Sequence, residues 1–204
     1  DAMLLEMESM KTRGLIGNVA TADDGKTVAT GKLNLQVCPM HDKSDLFRAL
    51  PFHAKLVAAV RALIGDPVVF KLDQIFLKPA KNGAGTSWHQ DNTYFKMKDS
   101  RKGLGVWSAL NAATVANGTM HVIPGIQETV LEHTRDPQSN HHVRCYPDES
   151  KAVPIELPQG GALFFNYNVP HCTLGNTTDR DRAGLALHFF NQEAYEGADL
   201  WSDM

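Results

Sequence analysis

A histidine and a carboxylate stand two positions apart, at His89 and Asp91, within the sequence SWHQDN. If this stretch is an extended strand, both side chains point to the same face and can reach one point in space. An imidazole nitrogen and a carboxylate oxygen are two of the three ligands in the 2-His-1-carboxylate triad that binds Fe(II). The pair is therefore a candidate for part of a metal site, and the alternative is a solvated pair in a loop.

A third ligand must come from elsewhere among the nine histidines of the chain. His53 lies in a helical segment, where a structural role is expected, and His121 is interpreted as a core histidine. Loop histidines, for which solvated side chains are the main expectation, are His41, His133, His141 and His142. His171 differs from these because it opens a predicted strand and is followed 11 positions later by Arg182.

Arg182 has the chemistry that would complete a site for a 2-oxo acid. A guanidinium group is a rigid, always charged fork that suits a carboxylate. We expect an antiparallel partner strand to bring this arginine back beside His171. The 2-oxo group and near carboxylate of the acid would then chelate the metal, while the far carboxylate would meet the arginine. The alternative, a surface charge in a hydrophilic turn, is the interpretation that we adopt for the neighbouring Arg180.

The elements that must position these residues are short. Before residue 66 the predicted elements are a helix within 1–13, strands at 16–21 and 27–37, and a helical segment over 46–64. The sequence Asp23-Asp24-Gly25-Lys26 indicates a hairpin turn between the two strands. In the helical segment Ser44 can cap the start, Pro51 implies two pieces, and Gly65 can end it.

After residue 66 the sequence shows short apolar runs separated by turn residues, and no further long helix. The runs are 68–77, 86–91, 104–111, 119–123, 152–157, 162–166, 170–174 and 183–190. Regularly spaced short strands are typical of a barrel or a jelly roll. We therefore predict a mainly β single domain over 1–204, with flanking helices and a β core at about 66–191.

The composition of the chain indicates which partners and which cellular setting are expected. The chain has 204 residues, 43% of them hydrophobic and 21% charged, with a net charge of −3. This balance argues against nucleic-acid and anionic-membrane partners. No apolar run reaches the length of a membrane span, and the three cysteines form no Cys-X-X-Cys pair, so we expect a reducing, cytoplasmic setting. Because the chain opens on Asp1 in mid-pattern, we also expect that an N-terminal portion precedes it.

An ordered set of motifs resembles the phytanoyl-CoA dioxygenase family. The set is Trp88-His89-Gln90-Asp91, Trp107-Ser108-Ala109-Leu110, 117–125 (NGTMHVIPG), and His171 with Arg182. The resemblance covers about 66–191 and implies a double-stranded β-helix, a jelly-roll or cupin-like fold. It also implies an enzyme dependent on Fe(II), 2-oxoglutarate and O2.

By this resemblance His89, Asp91 and His171 bind iron, and Arg182 binds the far carboxylate of 2-oxoglutarate. Trp107, Gln74 and Thr173 match positions that often line the 2-oxoglutarate site. For Gln74 and Thr173 the alternative is an ordinary polar group on a strand. Halogenases of this group replace the metal-binding carboxylate by a small residue, so the presence of Asp91 disfavours halogenation.

The implied reaction is hydroxylation of a small-molecule C–H bond, with release of succinate and CO2. Desaturation is a further oxidative outcome that Asp91 permits. The rival functions are a zinc-dependent hydrolase or isomerase on the same barrel, since this ligand set also suits zinc, and a binding module without turnover. No concentrated basic patch for coenzyme A phosphates is visible. Residues that could exclude water near the metal, or simply form core, are Tyr94, Phe95, Phe164, Phe165 and Tyr167.

A polar stretch at 127–150 lies between two predicted strands. Unstructured loops longer than about 12–15 residues are usually functional or disordered. We expect this loop to fold over the open end of the barrel and to contact substrate, with Arg135 and Arg144 as candidates for binding an anionic group. The alternative is a surface loop with solvated charges.

Overall fold

The computed structural model describes residues 2–195. Within that range the strands are β1 (Gly17–Asn18), β2 (Leu35–Val37), β3 (Val68–Lys78), β4 (Thr86–His89), β5 (Gly103–Ala109), β6 (Met120–Val122), β7 (Thr134–Arg135), β8 (Val143–Arg144), β9 (Val153–Ile155), β10 (Ala162–Asn166), β11 (His171–Thr173) and β12 (Arg182–Asn191). Each of the eight strands predicted after residue 66 has a counterpart in this set.

Most of the strands form two antiparallel sheets. The larger sheet has the order β1-β2-β3-β12-β5-β10, and the smaller has the order β4-β11-β6-β9. Side chains from both sheets pack together between them, including Trp107 of β5 and Met120 of β6. This arrangement confirms the predicted mainly β class and jelly roll.

Alternation along β3 and β12 decides which residues face the interior between the sheets. Odd-numbered residues such as Ile75 and Leu185 pack in the main hydrophobic core together with residues of the helices. Even-numbered residues of β3 from Leu72 onward face the other side, where Gln74 pairs with Ala186 and Lys78 with Arg182 in the strand register. In a strand that is covered on both faces, the side chains that line the cavity must therefore occur at alternate positions.

The helices are α1 (Ala2–Thr12), α2 (Asp45–Ala49), α3 (Ala54–Ile64) and α4 (Asn92–Phe95). The predicted break at Pro51 is confirmed, because a single 3₁₀ turn, Leu50–Phe52, separates α2 from α3. Gly65 ends α3 with a φ of 77°, which glycine adopts without strain. Ser44 occupies the N-cap position, but its side chain makes no capping hydrogen bond, so that detail of the prediction was wrong. No helix in the described range has the length and apolar character needed to cross a bilayer.

The predicted hairpin near the N-terminus is present with much shorter strands than 16–21 and 27–37. The Asn18 side chain explains the difference, since it bonds the backbone of both arms and replaces ladder hydrogen bonds. Its Nδ2 donates to the carbonyls of Ala29 and Lys32, and its Oδ1 accepts from the N–H of Ala20 and of Asn34.

The segment 127–150 is not structureless, because β7 and β8 pair within it. It also bonds to the N-terminal hairpin. The N–H of Thr21 donates to Gln138 O at 3.0 Å, and the N–H of Asn140 donates to Val19 O at 3.1 Å. The loop is therefore held by backbone contacts at its tip.

Candidate active site

Three side chains converge at one end of the space between the sheets. Ligand atoms of His89, Asp91 and His171 all lie within 4.8 Å of one another. Asp91 Oδ1 is 3.7 Å from His89 Nε2 and 3.6 Å from His171 Nε2. The structure thus brings together the three residues that the resemblance assigned to iron.

Each of the two imidazole rings is oriented by the backbone. His89 Nδ1 lies 2.8 Å from Ser87 O, and His171 Nδ1 lies 3.0 Å from Val169 O. A carbonyl can only accept, so the proton sits on Nδ1 and the Nε2 lone pair of each ring points toward Asp91. Such a backbone contact is the usual way in which a metal-binding histidine is held in one tautomer.

The backbone places these residues differently from the sequence prediction. His89 and His171 are direct partners in the β4–β11 ladder. Asp91, however, lies beyond the end of β4 with φ −58° and ψ −29°, a helical conformation at the start of α4. The expectation that His89 and Asp91 share one face of a strand was therefore wrong, and a turn brings the carboxylate round to the histidines instead.

Burial keeps the two histidines neutral. It lowers the pKa of His89 to about 4, with a further contribution from His171, and it lowers the pKa of His171 to about 4. Neutral imidazole is the form that binds a metal, and the buried Oδ2 of Asp91 has no hydrogen-bond partner within the described residues. Two imidazole nitrogens and one carboxylate fit the Fe(II) facial triad.

Arg182 and Lys78 form a pair of buried cations in the same cavity. Arg182 is 1% exposed and Lys78 is 0% exposed, and the two residues are partners on adjacent strands. Arg182 donates to the carbonyls of Asn117 and Gly118, and its guanidinium lies 5.6 Å from the Trp107 ring centre. Lys78 donates to the carbonyls of Ala84 and Leu174.

None of the ion pairs within residues 2–195 includes Arg182 or Lys78. Burial lowers the pKa of Arg182 to about 10, and burial followed by repulsion from Arg182 lowers the pKa of Lys78 well below its ordinary value. Two desolvated cations without a carboxylate are costly, and an anionic ligand would relieve that cost. The sequence interpretation missed Lys78. The signal was available, since Lys78 shares the parity of Gln74 on one strand.

The position of Arg182 also corrects the expected topology. The predicted antiparallel pairing of the His171 and Arg182 strands is wrong, because β11 pairs with β4 and β6, whereas β12 pairs with β3 and β5. His171 and Arg182 instead reach one cavity from opposite sheets. Its volume is about 240 Å³, and both the triad and the cation pair line it.

The sequence model of the family described as phytanoyl-CoA dioxygenase (PhyH) matches residues 2–184. The chain belongs to the phytanoyl-CoA dioxygenase family. The resemblance drawn from the ordered motifs is confirmed.

Curated relatives agree with this family. Phytanoyl-CoA dioxygenase 1 of Oryza sativa subsp. japonica is 28% identical over 184 residues, covering 87% of this chain and 65% of the relative. L-proline trans-4-hydroxylase of Streptomyces griseoviridis is 28% identical over 177 residues, covering 73% of this chain and 64% of the relative. The chain spans about half to two-thirds of the length of the curated relatives it matches.

Solved structures share the fold. EvdO2 from Micromonospora carbonacea var. aurantiaca, complexed with 2-oxoglutarate, has a TM-score of 0.69 at 26% identity, covering 96% of this chain and 83% of that one. The non-heme alpha ketoglutarate dependent carbocyclase SnoK from nogalamycin biosynthesis has a TM-score of 0.76 at 21% identity, covering 93% and 74%. The similarity to SnoK shows a shared fold alone.

The three residues expected to line a 2-oxoglutarate site in this family member all line the cavity: Trp107, Gln74 and Thr173. The Thr173 hydroxyl accepts from the N–H of Thr86 at 3.1 Å. Gln74 Oε1 accepts from Gln36 Nε2 at 2.7 Å, so Gln74 is tied to a neighbouring amide. Gly184 makes room for Trp107, because a Cβ at Gly184 would lie 2.6 Å from the indole Nε1.

The predicted aromatic residues fall into two groups, those that line the cavity and those that pack elsewhere. Those that line the cavity are Tyr94, Phe95 and Phe165. Phe165 also contacts a ligand histidine, with its ring centre 4.7 Å from that of His171. Phe164 packs against the main core instead, and Tyr167 is buried behind Phe95 in a stacked pair with centres 4.5 Å apart.

The loop at 127–150 contributes to the cavity through residues other than those expected. His141 and His142 line it, whereas Arg135 and Arg144 do not. Arg135 donates to the carbonyls of Asn140 and His142 within the loop, and the Arg144 guanidinium lies 5.3 Å from the Tyr146 ring centre. The two arginines stabilise the loop itself, so their expected role toward a substrate anion is not supported by these contacts.

Proposed function

We propose that this protein is an Fe(II)- and 2-oxoglutarate-dependent dioxygenase that hydroxylates a C–H bond of a small molecule and releases succinate and CO2. The observation that carries the proposal is the presence of a 2-His-1-carboxylate cluster and an unneutralised pair of buried cations in one cavity. A dicarboxylate with a 2-oxo group satisfies both, because one end can chelate the metal and the other can bind the cations.

His89, Asp91 and His171 would hold Fe(II), which supplies the redox chemistry that activates O2 with electrons from 2-oxoglutarate. Arg182 and Lys78 would hold the far carboxylate in a water-poor site, where charge-assisted hydrogen bonds are strong. The Trp107 ring packs against the guanidinium and keeps its orientation. Phe95 and Phe165 present apolar surface to the cavity and so limit the access of water.

The rival functions leave the cation pair unexplained. A zinc hydrolase or isomerase needs the triad and a bound water, but it has no requirement for two buried cations beside them. A binding module needs no open metal positions. The dioxygenase proposal accounts for both features with one co-substrate.

The charges of the cavity support a small substrate without phosphates. Among the described residues that line it, the basic side chains are Lys78 and Arg182, and both of them would be engaged by the far carboxylate of 2-oxoglutarate. The remaining polar wall includes amides, imidazoles, threonine hydroxyls and Tyr94, which suit uncharged polar groups.

Aerobic turnover with candidate metabolites tests this proposal. The protein is supplied with Fe(II), ascorbate and 2-oxoglutarate, and succinate is measured together with the mass of each metabolite. We expect one metabolite to raise succinate formation and to gain one oxygen atom in equal amount. Hydrolysis or isomerisation of a metabolite in the absence of 2-oxoglutarate would favour the rival class.

A further inference from the structure

His188 lies in the same cavity as the triad but is not part of it. It belongs to β12, its side chain faces the interior between the sheets, and it is 3% exposed. Its ring is packed against two aromatic side chains, with centres 5.0 Å from Phe95 and 5.9 Å from Tyr167. The ring is therefore held in place by packing as well as by its polar contacts.

The carboxylate of Asp91 lies within 4 Å of His188. His188 Nδ1 lies 3.7 Å from Asp91 Oδ2, and both atoms are buried without a hydrogen-bond partner. The other oxygen, Oδ1, faces the two ligand histidines. The two oxygens of one carboxylate thus face different partners, since Oδ1 looks toward the metal ligands and Oδ2 toward His188.

A chain of amide contacts determines which nitrogen of His188 carries the proton. Gln36 Nε2 donates to Gln74 Oε1 at 2.7 Å, so the Gln74 amide nitrogen is turned toward His188. That nitrogen lies 3.4 Å from His188 Nε2, and an amide nitrogen can only donate. Nε2 of a neutral ring must then be the acceptor, which leaves the hydrogen on Nδ1, facing Asp91.

We propose that His188 is a positioning residue that donates from Nδ1 to Asp91 Oδ2 and so presents only Oδ1 to the metal. A movement of about 0.8 Å would bring the 3.7 Å separation to the usual N–H···O length. With Oδ2 held in this way, the carboxylate occupies one metal position rather than two. The remaining positions then stay open for co-substrate and O2.

This inference rests on the proposed metal site, and it assigns a task to a residue outside the triad. Partners that lie behind metal ligands typically change metal affinity or activity about 10- to 100-fold when they are removed. The chain Gln36–Gln74–His188–Asp91 also links the ligand carboxylate to the two glutamines that line the cavity.

Substitutions at His188 can test the contact made by Nδ1 separately from the contact made by Nε2. His188→Asn places its amide nitrogen near the position of Nδ1 and keeps a donor toward Asp91. His188→Gln places its amide near the position of Nε2 and meets Gln74 instead, and His188→Leu keeps neither contact. Phe189→Leu is the matched control for lost packing, because Phe189 is the next residue of the strand and packs in the main core.

The measurement is Co(II) binding to each purified protein by titration, followed through the visible absorption of Co(II), which reports both occupancy and coordination number. We expect His188→Leu and His188→Gln to weaken Co(II) binding about 10- to 100-fold and to change the spectrum. We expect His188→Asn to bind nearly as the unsubstituted protein does, and Phe189→Leu to lower the melting temperature without altering the spectrum.

Equal Co(II) affinity in His188→Leu and Phe189→Leu would overturn the inference, as would equal weakening in His188→Asn and His188→Gln. If His188→Leu does not fold, the comparison of the Asn and Gln variants decides the question. Failure of the unsubstituted protein to bind Co(II) would instead overturn the proposed function, and the two failures are thereby distinguished.

Discussion

Lys78 and Arg182 are direct partners on adjacent antiparallel strands, and both side chains are buried on the same face of the sheet without a carboxylate partner among the described residues. Two like charges in this position oppose each other as well as lose hydration. The site is therefore poised for an anionic ligand, and its properties without that ligand should differ from those with it.

Lys78→Met should weaken 2-oxoglutarate binding strongly. Removing one partner of a buried charge pair costs on the order of 2–5 kcal/mol, which corresponds to at least a tenfold change in affinity. The metal-free, ligand-free variant should be no less stable than the unsubstituted protein, because a desolvated charge is lost. Calorimetric titration and thermal melts measure the two effects. Lys32→Met, at an exposed lysine, is the control, and equal 2-oxoglutarate affinity in both variants would contradict the assignment.

Arg182→Leu should raise the 2-oxoglutarate requirement while sparing metal affinity. The guanidinium would neutralise the far carboxylate and lies outside the triad. Arg180→Leu is the matched control, since Arg180 is exposed and only two positions away. The Michaelis constant for 2-oxoglutarate, measured at saturating Fe(II), separates the two variants. A larger effect of Arg180→Leu would contradict the assignment of Arg182 to the far carboxylate.

Gly184→Ala should disturb Trp107. The added Cβ would lie 2.6 Å from the indole Nε1, so the ring that supports Arg182 must shift. Overpacking of this kind typically costs about 1–3 kcal/mol. We expect a lower melting temperature together with weaker 2-oxoglutarate binding. Gly31→Ala, where a Cβ meets nothing within 4 Å, provides the comparison, and identical behaviour of both variants would argue against this packing role.

The metal-free protein should lose stability as the pH falls from 6.5 to 5. Burial lowers the pKa of His89 and of His171 to about 4, so in this window the unfolded chain binds protons that the folded chain does not. Acidification therefore lowers the free energy of unfolding, by at most about 1.4 kcal/mol per pH unit for each histidine. Urea unfolding at several pH values gives the slope. A flat profile across this window would show that the two rings are accessible to protons in the folded state.

Much of the fold could be predicted from local pattern. The short apolar runs and the turn residues between them located the strands after residue 66, because strands that are buried on both faces read as nearly continuous apolar runs. The ordered motifs identified the triad, whose residues lie at or just beyond the ends of strands.

Three features could not be predicted because they depend on long-range pairing or on a turn. The helical backbone of Asp91 ends β4 two residues early, and no local pattern distinguishes that turn from one more strand residue. Periodicity also does not say which strands pair, so His171 and Arg182 were placed in one ladder rather than in facing sheets. The strand parity of Lys78 with Gln74 could have placed Lys78 on the cavity face, but its position beside Arg182 follows only once β3 and β12 are in register.

The loop at 127–150 remains a predicted substrate-binding element. His141 and His142 line the cavity from it, and Tyr94 accepts a hydrogen bond from the N–H of Val143. Replacing both histidines by alanine should reduce substrate-dependent succinate formation and leave the slower, substrate-free consumption of 2-oxoglutarate nearly unchanged. Equal loss of both rates would mean that the loop supports the barrel rather than the substrate.

One cavity is expected to bind Fe(II) through His89, Asp91 and His171 and to bind 2-oxoglutarate beside it. Anaerobic titration of the protein with Fe(II) and 2-oxoglutarate, followed by visible absorption, tests this claim most directly. We expect a weak charge-transfer band only when both are present, and its loss in His89→Ala, Asp91→Ala and His171→Ala proteins that retain their circular dichroism. The absence of the band in the unsubstituted protein at saturating Fe(II) and 2-oxoglutarate, or its persistence in the Asp91→Ala protein, would contradict the account.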